Sequence, residues 1–263
     1  MPQVGKEALS QFIRTECLRL LRLNLSPDTQ AFQQERTAAG MPPVQPPRPG
    51  LEYLAQAGEE WQAEKIADLS DTFGTAVVIG DRYTNQAGQE RFREIELVNH
   101  LNTAPQGSFL VESQFDVGPA FEGALGIAGY RQNYALNYSR LRPDLIEVLP
   151  PTSNIDRYIT PAGAVLWLAA DDHRIKLRVI DIKLTAEPSP SYFAEVTYYS
   201  MALAGWLTDQ GLDNRYVVVP DAAIWPGSHD ASSLVRTCRE IEDQGGTPTY
   251  VQMWDAMQED LEA

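Results

Sequence analysis

The chain has 263 residues, enough for a sizeable buried core, with the 43% hydrophobic and 22% charged content of an ordinary soluble globular protein. Its net charge of −15 argues against nucleic-acid binding by bulk electrostatics, because affinity for phosphate comes mainly from Lys and Arg. No stretch approaches the roughly 18 apolar residues that cross a bilayer, and MPQVGKEALS has no signal-peptide apolar region, so a cytoplasmic protein with no membrane partner is expected. Cys17 and Cys238 are too few for a disulfide framework. The histidines His100, His173 and His229 have no zinc-ligand spacing.

Taken in order, the segment from Glu7 to Leu25 has Leu9, Phe12, Ile13, Cys17, Leu20 and Leu21 at helical spacing. Ser10 can cap this helix, and Arg19 and Arg22 form a basic stripe on it. Pro27 and the run PPVQPPRPG make residues 26–50 an extended loop. Leu51 to Phe73 is a second helix that ends near Gly74, with Glu60 and Glu64 on one face. Arg91 to Asn102 has helical spacing, whereas Ser108 to Val117 alternates as a strand and offers Glu112 as a further acidic candidate. Gly118 to Gly129 lacks the Lys-Ser/Thr of a phosphate loop and is expected to be a mobile loop or bend.

Tyr138 to Leu149 reads as a strand, Ala164 to Ala169 as a buried strand, and Asp171 to Arg174 as the turn into a further strand, Arg174 to Lys183. A helix from Tyr192 to Thr208, a buried strand from Arg215 to Pro220, and Ala223 to Trp225 extending or following it come next. The acidic segments Ser232–Glu242 and Thr247–Glu262 are expected to be helical. The expected organisation is one domain over residues 1–263: an N-terminal helix and Pro-rich loop (1–50), a core (51–225) and an acidic helical extension (226–263).

The chemistry concentrates on Asp181 and Lys183. Two apart on a strand, they point the same way. A carboxylate beside an ammonium can hold a hard divalent cation while the Lys orients or deprotonates a water, and Asp144 would supply a second oxygen ligand. Such a grouping suits phosphodiester hydrolysis, since a bound cation polarises a phosphoryl oxygen and acidifies the attacking water. Arg140 and Arg142 before Asp144, and Arg174, Lys176 and Arg178 before Asp181, would form a basic rim.

Pro143-Asp144, followed 37 positions later by Asp181-Ile182-Lys183, resembles the PD-(D/E)XK nuclease signature. The flanking features resemble its RecB-like branch, which includes CRISPR-adaptation exonucleases. The branch's Gln-x-x-x-Tyr helix is matched by Glu195 and Tyr199, with Glu in place of Gln. Its Gly-x-x-x-His helix is matched by Gly58 to Gln62, with Gln62 where the His would fall, so the ligand role passes to Glu64 or Glu60. Leu9-Ser10 and Phe12 before Cys17-Leu18-Arg19 resemble its N-terminal LSxF…CxR helix.

The resemblance, which spans roughly residues 6 to 225, implies an α/β restriction-endonuclease-like core: a mixed central β-sheet flanked by helices. It implies Mg²⁺ or Mn²⁺ held at Asp144, Asp181, Glu64 and Ile182, with Lys183, Glu195 and Tyr199 completing the catalytic set. It also implies DNA contacts by Ser10, Arg19, Arg140 and Arg142. Some members hold a [4Fe–4S] cluster through four cysteines; with only Cys17 and Cys238 here, no cluster is expected. The implied activity is DNA cleavage in repair, recombination or defence against foreign DNA, with a helicase, ATPase or defence-complex partner. The alternative is a catalytically silent DNA-binding or scaffolding module.

Overall fold

The computed structural model describes residues 3–25, 29–40, 51–85, 88–134, 137–184 and 189–226, with Arg236, Thr237, Glu240, Ile241 and Gln244 beyond them. Two compact units divide the chain, residues 1–183 with 188–225, and residues 184–187 with 226–263. Of the acidic segments expected in the second unit, only Arg236, Thr237, Glu240 and Ile241 are described, all helical. The rest of both segments, Cys238 included, lies outside the described residues.

The first unit is a mixed α/β structure built on a six-stranded sheet. Its strands are β1 (Val78–Ile79), β2 (Ser108–Val111), β3 (Leu145–Val148), β4 (Ile175–Ile182), β5 (Tyr216–Val218) and β6 (Ala223–Trp225). They lie in the order β5-β4-β3-β2-β1, with β6 also on β4. β3 runs antiparallel to both β2 and β4, whereas β5 and β6 run parallel to β4 and β1 runs parallel to β2.

Period-two alternation places the layers. Leu177 and Val179 of β4, with Ile146 and Val148 of β3, join one buried cluster with Tyr199, Leu203 and Leu207. Those last three lie on α4 (Pro190–Asp209), where the 3.6-residue repeat gathers them on one face. Against α4 pack α1 (Lys6–Thr15) and α3 (Pro119–Ala124). The opposite sheet face carries Leu145, Ile182, Phe109 and Val111, which pack on Ile66 and Leu69 of α2 (Leu51–Phe73). Helices therefore cover both faces of the sheet.

Several local expectations change. The first helix is broken: Glu16 takes a left-handed φ of 49° and closes α1, and a separate helix runs from Leu18 to Asn24. Residues Thr29–Ala38 are helical rather than loop, in keeping with the good helix formers of TQAFQQERTA, while the Pro-rich 41–50 run lies outside the described residues. Glu90–Arg93 pairs antiparallel with Asp81–Thr84, and Ile95–Glu96 is also a strand, so only Leu97–Leu101 of the Arg91–Asn102 segment is helical. The Gly118–Gly129 segment starts with a helix. Pro119 supplies its first turn, and Ala120 N–H donates to Asp209 Oδ1 at 3.0 Å.

The apolar Val165–Trp167 strand is not buried. It pairs with Arg157–Ile159 in a separate hairpin, with Trp167 72% exposed. Hydrophobicity suggested burial there, but the chain already fills β4's two edges with β3 on one side and β5 and β6 on the other. No helix among the described residues is long and apolar enough to cross a membrane.

Candidate active site

The β3–β4 register fixes the first relationship. Ile180 pairs with Leu145. One step further along this antiparallel ladder sets Asp181 opposite Asp144, on the face that carries Leu177 and Val179. The β3–β4 ladder ends there while β4 goes on to pair with β6, and main-chain groups on the β3 edge are free for the site. Ile182 N–H donates to Asp144 Oδ2 at 2.5 Å. On the other edge, Lys183 N–H donates to the Trp225 carbonyl at 2.9 Å, which ties the Asp-Ile-Lys end to β6.

Asp181 is fully buried, and neither of its carboxylate oxygens accepts a hydrogen bond of good geometry. Its ion-pair partner is Lys183, with Nζ 2.7 Å from Oδ2. The ammonium also donates to Glu195 Oε2 at 3.1 Å, so two carboxylates from two elements fix its position. Burial works against the charged Lys183, but the Asp181 carboxylate outweighs this and holds its pKa above the ordinary lysine value. Lys183 is therefore a cation here, suited to orienting water or stabilising charge.

Asp144 is pushed up to about 7, first by desolvation and then by the charge of Asp181 facing it. Two close carboxylates in a poorly solvated place share this behaviour generally, because both cannot ionise without cost. A cation between them removes that cost. Desolvation first, and then the charges of Asp181 and Asp144, raise Tyr199 well above the usual phenol value, so its hydroxyl is neutral. It donates to the Arg142 carbonyl at 3.3 Å and so holds the main chain two residues before Asp144.

Gln62 of α2 reaches the site where a His was sought. Its Nε2 donates to Asp144 Oδ1 at 3.2 Å and to Glu112 Oε1 at 2.5 Å. Glu112 has φ of 51°, a left-handed backbone rarely taken by a non-Gly residue, and it interrupts the Ser108–Val117 alternation. Its N–H donates to the Asp144 carbonyl at 3.1 Å, which locks the kink to the site. Desolvation raises the Glu112 carboxyl above its usual range, against the pull of Arg142. Arg142 Nε lies 2.9 Å from Glu112, and its guanidinium also pairs with Glu94. Arg140 is held similarly: Glu96 binds it bidentately at 2.6 and 2.8 Å, and Asp116 lies at 3.1 Å.

Asp144, Asp181, Ile182, Lys183, Glu195 and Tyr199 thus lie together. Glu64 does not join them: it is 63% exposed and lies 3.9 Å from Lys65. It borders a different recess with Arg82, because one turn of α2 faces Asp144 only through Gln62. Ser10 is buried on α1 and cannot touch DNA from there. Arg19 is exposed on the Leu18–Asn24 helix. The basic residues of β4 also fall away from the site. Arg174 pairs with Asp172 at 2.7 Å, Arg178 pairs with Glu147 on the other sheet face at 3.2 Å, and Lys176 donates to the Ser153 carbonyl at 3.1 Å.

Among the described residues no three His, Cys, Asp or Glu side chains converge as a metal-binding group. The donor set that does exist, the facing carboxylates of Asp144 and Asp181 with the Lys183 ammonium 2.7 Å from one Asp181 oxygen, would suit Mg²⁺ or Mn²⁺, since a hard cation of this kind keeps several waters and takes one or two carboxylates. No protein-family model matches this chain, no curated protein matches it, and no solved structure matches it.

Proposed function

We propose that this chain is a metal-dependent nuclease that hydrolyses DNA phosphodiester bonds on a restriction-endonuclease-like core, as a RecB-like member of the PD-(D/E)XK superfamily. The observation that carries the reading is the convergence of Asp144, Asp181 and Lys183 at the end of two paired strands, with Lys183 Nζ 2.7 Å from Asp181 and 3.1 Å from Glu195. With β1, α3 and the smaller helices and hairpins between them set aside, the order helix, three strands, helix, strand over α2, β2, β3, β4, α4 and β5 agrees with this core.

Asp144 and Asp181 are the residues that would hold the cation. Bound there, Mg²⁺ or Mn²⁺ supplies polarisation of a phosphoryl oxygen and a more acidic water. Lys183 presents a fixed ammonium to the attacking water and to the negative charge that grows on the phosphate. Glu195 sets its direction. Tyr199 keeps the Arg142–Asp144 segment in place, and Arg140 and Arg142 reach phosphate by exchanging the exposed carboxylates of Glu94, Glu96 and Asp116, while the mostly buried Glu112 stays with Arg142. Exposed ion pairs are worth only about 0–1 kcal/mol each, so exchange of those three costs little. The acidic balance fits an enzyme brought to DNA by a helicase, ATPase or defence-complex partner, in repair, recombination or defence against foreign DNA.

One observation favours a second reading, a catalytically silent DNA-binding module. The Gln62 amide bonds both Asp144 and Glu112, so the pair is partly satisfied without a cation. Incubation of the purified chain with labelled single- and double-stranded DNA and Mg²⁺ or Mn²⁺, beside Asp181→Ala and Lys183→Ala, separates the two. Metal-dependent cleavage lost in both variants supports the nuclease. DNA binding with no cleavage by the wild type supports the silent module.

A further inference from the structure

Lys6 has no place in the site described so far, yet the fold carries it there. Gln3 and Val4 pair in parallel with Asn137 and Tyr138, and Ser139 N–H donates to the Val4 carbonyl at 3.0 Å. This ladder lies directly before the Arg140–Asp144 segment. Gly5 then turns the chain into α1 at a point where a Cβ would stand 2.2 Å from Ser139 Oγ and would force that hydroxyl to turn away. The stitch leaves Lys6 at the first position of α1 with Nζ 5.5 Å from the centre of the Tyr199 ring. A recess of about 420 Å³ opens beside it, lined by the cations Lys6, Arg140 and Arg142, by Ser139 and Tyr199, and by the carboxylates Glu7 and Glu94, the second of them already paired with Arg142.

The cations of this recess differ in one respect. Arg140 is engaged by Glu96 and Asp116, and Arg142 by Glu94 and Glu112. Lys6 forms no ion pair among the described residues. Its charge acts on Asp144, Glu112 and Lys183, so it borders the same field. A cation in a recess shared with Arg142 and Tyr199, held there by a dedicated strand and in no ion pair among the described residues, is placed to receive an anion from outside.

Resting on the nuclease reading, we propose that Lys6, with Ser139 beside it, forms a phosphate-binding subsite for the strand backbone, next to the reacting phosphate and before the two arginines are released. An ammonium at this position neutralises one phosphodiester and carries no base preference. Lys6 is thus a binding and positioning residue, and the chemistry stays with Asp144, Asp181 and Lys183.

The test is fluorescence anisotropy of a labelled 20-nucleotide single strand and of the same sequence as a duplex, with EDTA present so that binding is read apart from cleavage. Salt is varied for the wild type, Lys6→Gln and Lys6→Arg. Loss of a charged phosphate contact weakens binding about tenfold. It also flattens the slope of log affinity against log salt by about 0.7 for a single strand or 0.9 for a duplex. Lys6→Gln is expected to show both changes on any sequence, and Lys6→Arg is expected to restore most of the affinity and slope. Unchanged affinity and slope in Lys6→Gln, with unchanged melting temperature, overturn the subsite. A wild type that binds in EDTA but does not cut when Mg²⁺ or Mn²⁺ replaces the chelator leaves the subsite standing and removes the nuclease reading; a wild type that cuts with metal but binds neither probe in EDTA removes the subsite alone.

Discussion

Asp144 and Ile182 are joined by a hydrogen bond of 2.5 Å from backbone N–H to carboxylate, at the point where the β3–β4 ladder ends. The bond spends a main-chain donor on a carboxylate that desolvation and a facing charge both destabilise. It thereby aims one oxygen of Asp144 and leaves the other to Gln62.

That conflict gives a pH dependence. Asp144 sits near 7 when folded, against about 3.9 in an unfolded chain. A raised folded pKa means that the neutral form is favoured, so this contribution to stability is complete below about pH 4 and is lost as pH rises through about 7. Chelated wild-type protein is expected to melt lower at pH 8 than at pH 5. Asp144→Asn, which keeps an acceptor for Ile182 N–H, is expected to flatten that difference and gain on the order of 1–2 kcal/mol at pH 8. In melting temperature the gain is about 2–8 °C. Thermal melts in EDTA at both pH values check it; the same slope in wild type and variant would rule out Asp144 as the source. Adding Mg²⁺ at pH 8 is expected to raise the wild-type melting temperature and leave the Asn variant unmoved.

Gln62 donates to Asp144 and Glu112 at once, and an amide nitrogen has no lone pair for a metal. Gln62→His puts an imidazole at the same place, and imidazole suits transition metals better than Mg²⁺. Mn²⁺ affinity measured by titration calorimetry is expected to rise about tenfold, with Mg²⁺ affinity changed much less. Equal gains for both metals, or none, would show that position 62 does not face the cation.

Glu94 and Glu96 occupy the guanidinium groups of Arg142 and Arg140. Replacing both acids by Gln removes two negative charges and leaves each arginine with one carboxylate, Asp116 on Arg140 and Glu112 on Arg142, so that part of each guanidinium is open to phosphate. DNA affinity at low salt is expected to rise about three- to tenfold, with a steeper salt dependence. Melting temperature should fall only slightly, since exposed pairs contribute about 0–1 kcal/mol. An unchanged dissociation constant would mean that the arginines do not contact the strand.

Much of this was legible in the residues. The alternation of Arg174–Lys183 located β4, the two-residue spacing put Asp181 and Lys183 side by side, and the 3.6-residue repeat placed Glu195 and Tyr199 on α4. The rest depended on pairing, which one sequence does not reveal. Glu64 and Gln62 differ by two positions on α2, about 200° around the axis, so only a docked helix says which one faces Asp144. Val165–Trp167 looked buried because its residues are apolar, while its position outside the sheet is a matter of topology. Lys6 carried no local signal at all: its place comes from Gln3 and Val4 pairing with Asn137 and Tyr138.

Alternation along β4 binds chemistry and core to one decision. Leu177, Val179 and Asp181 look one way, while Ile180 and Ile182 look the other, onto α2. A slip of β4 by a single residue would carry Asp181 to the α2 side, and in the same movement would turn Leu177 and Val179 out of their cluster. Misalignment of the carboxylates and loss of the core are then one event. A one-residue misalignment of this strand therefore cannot persist behind an intact core.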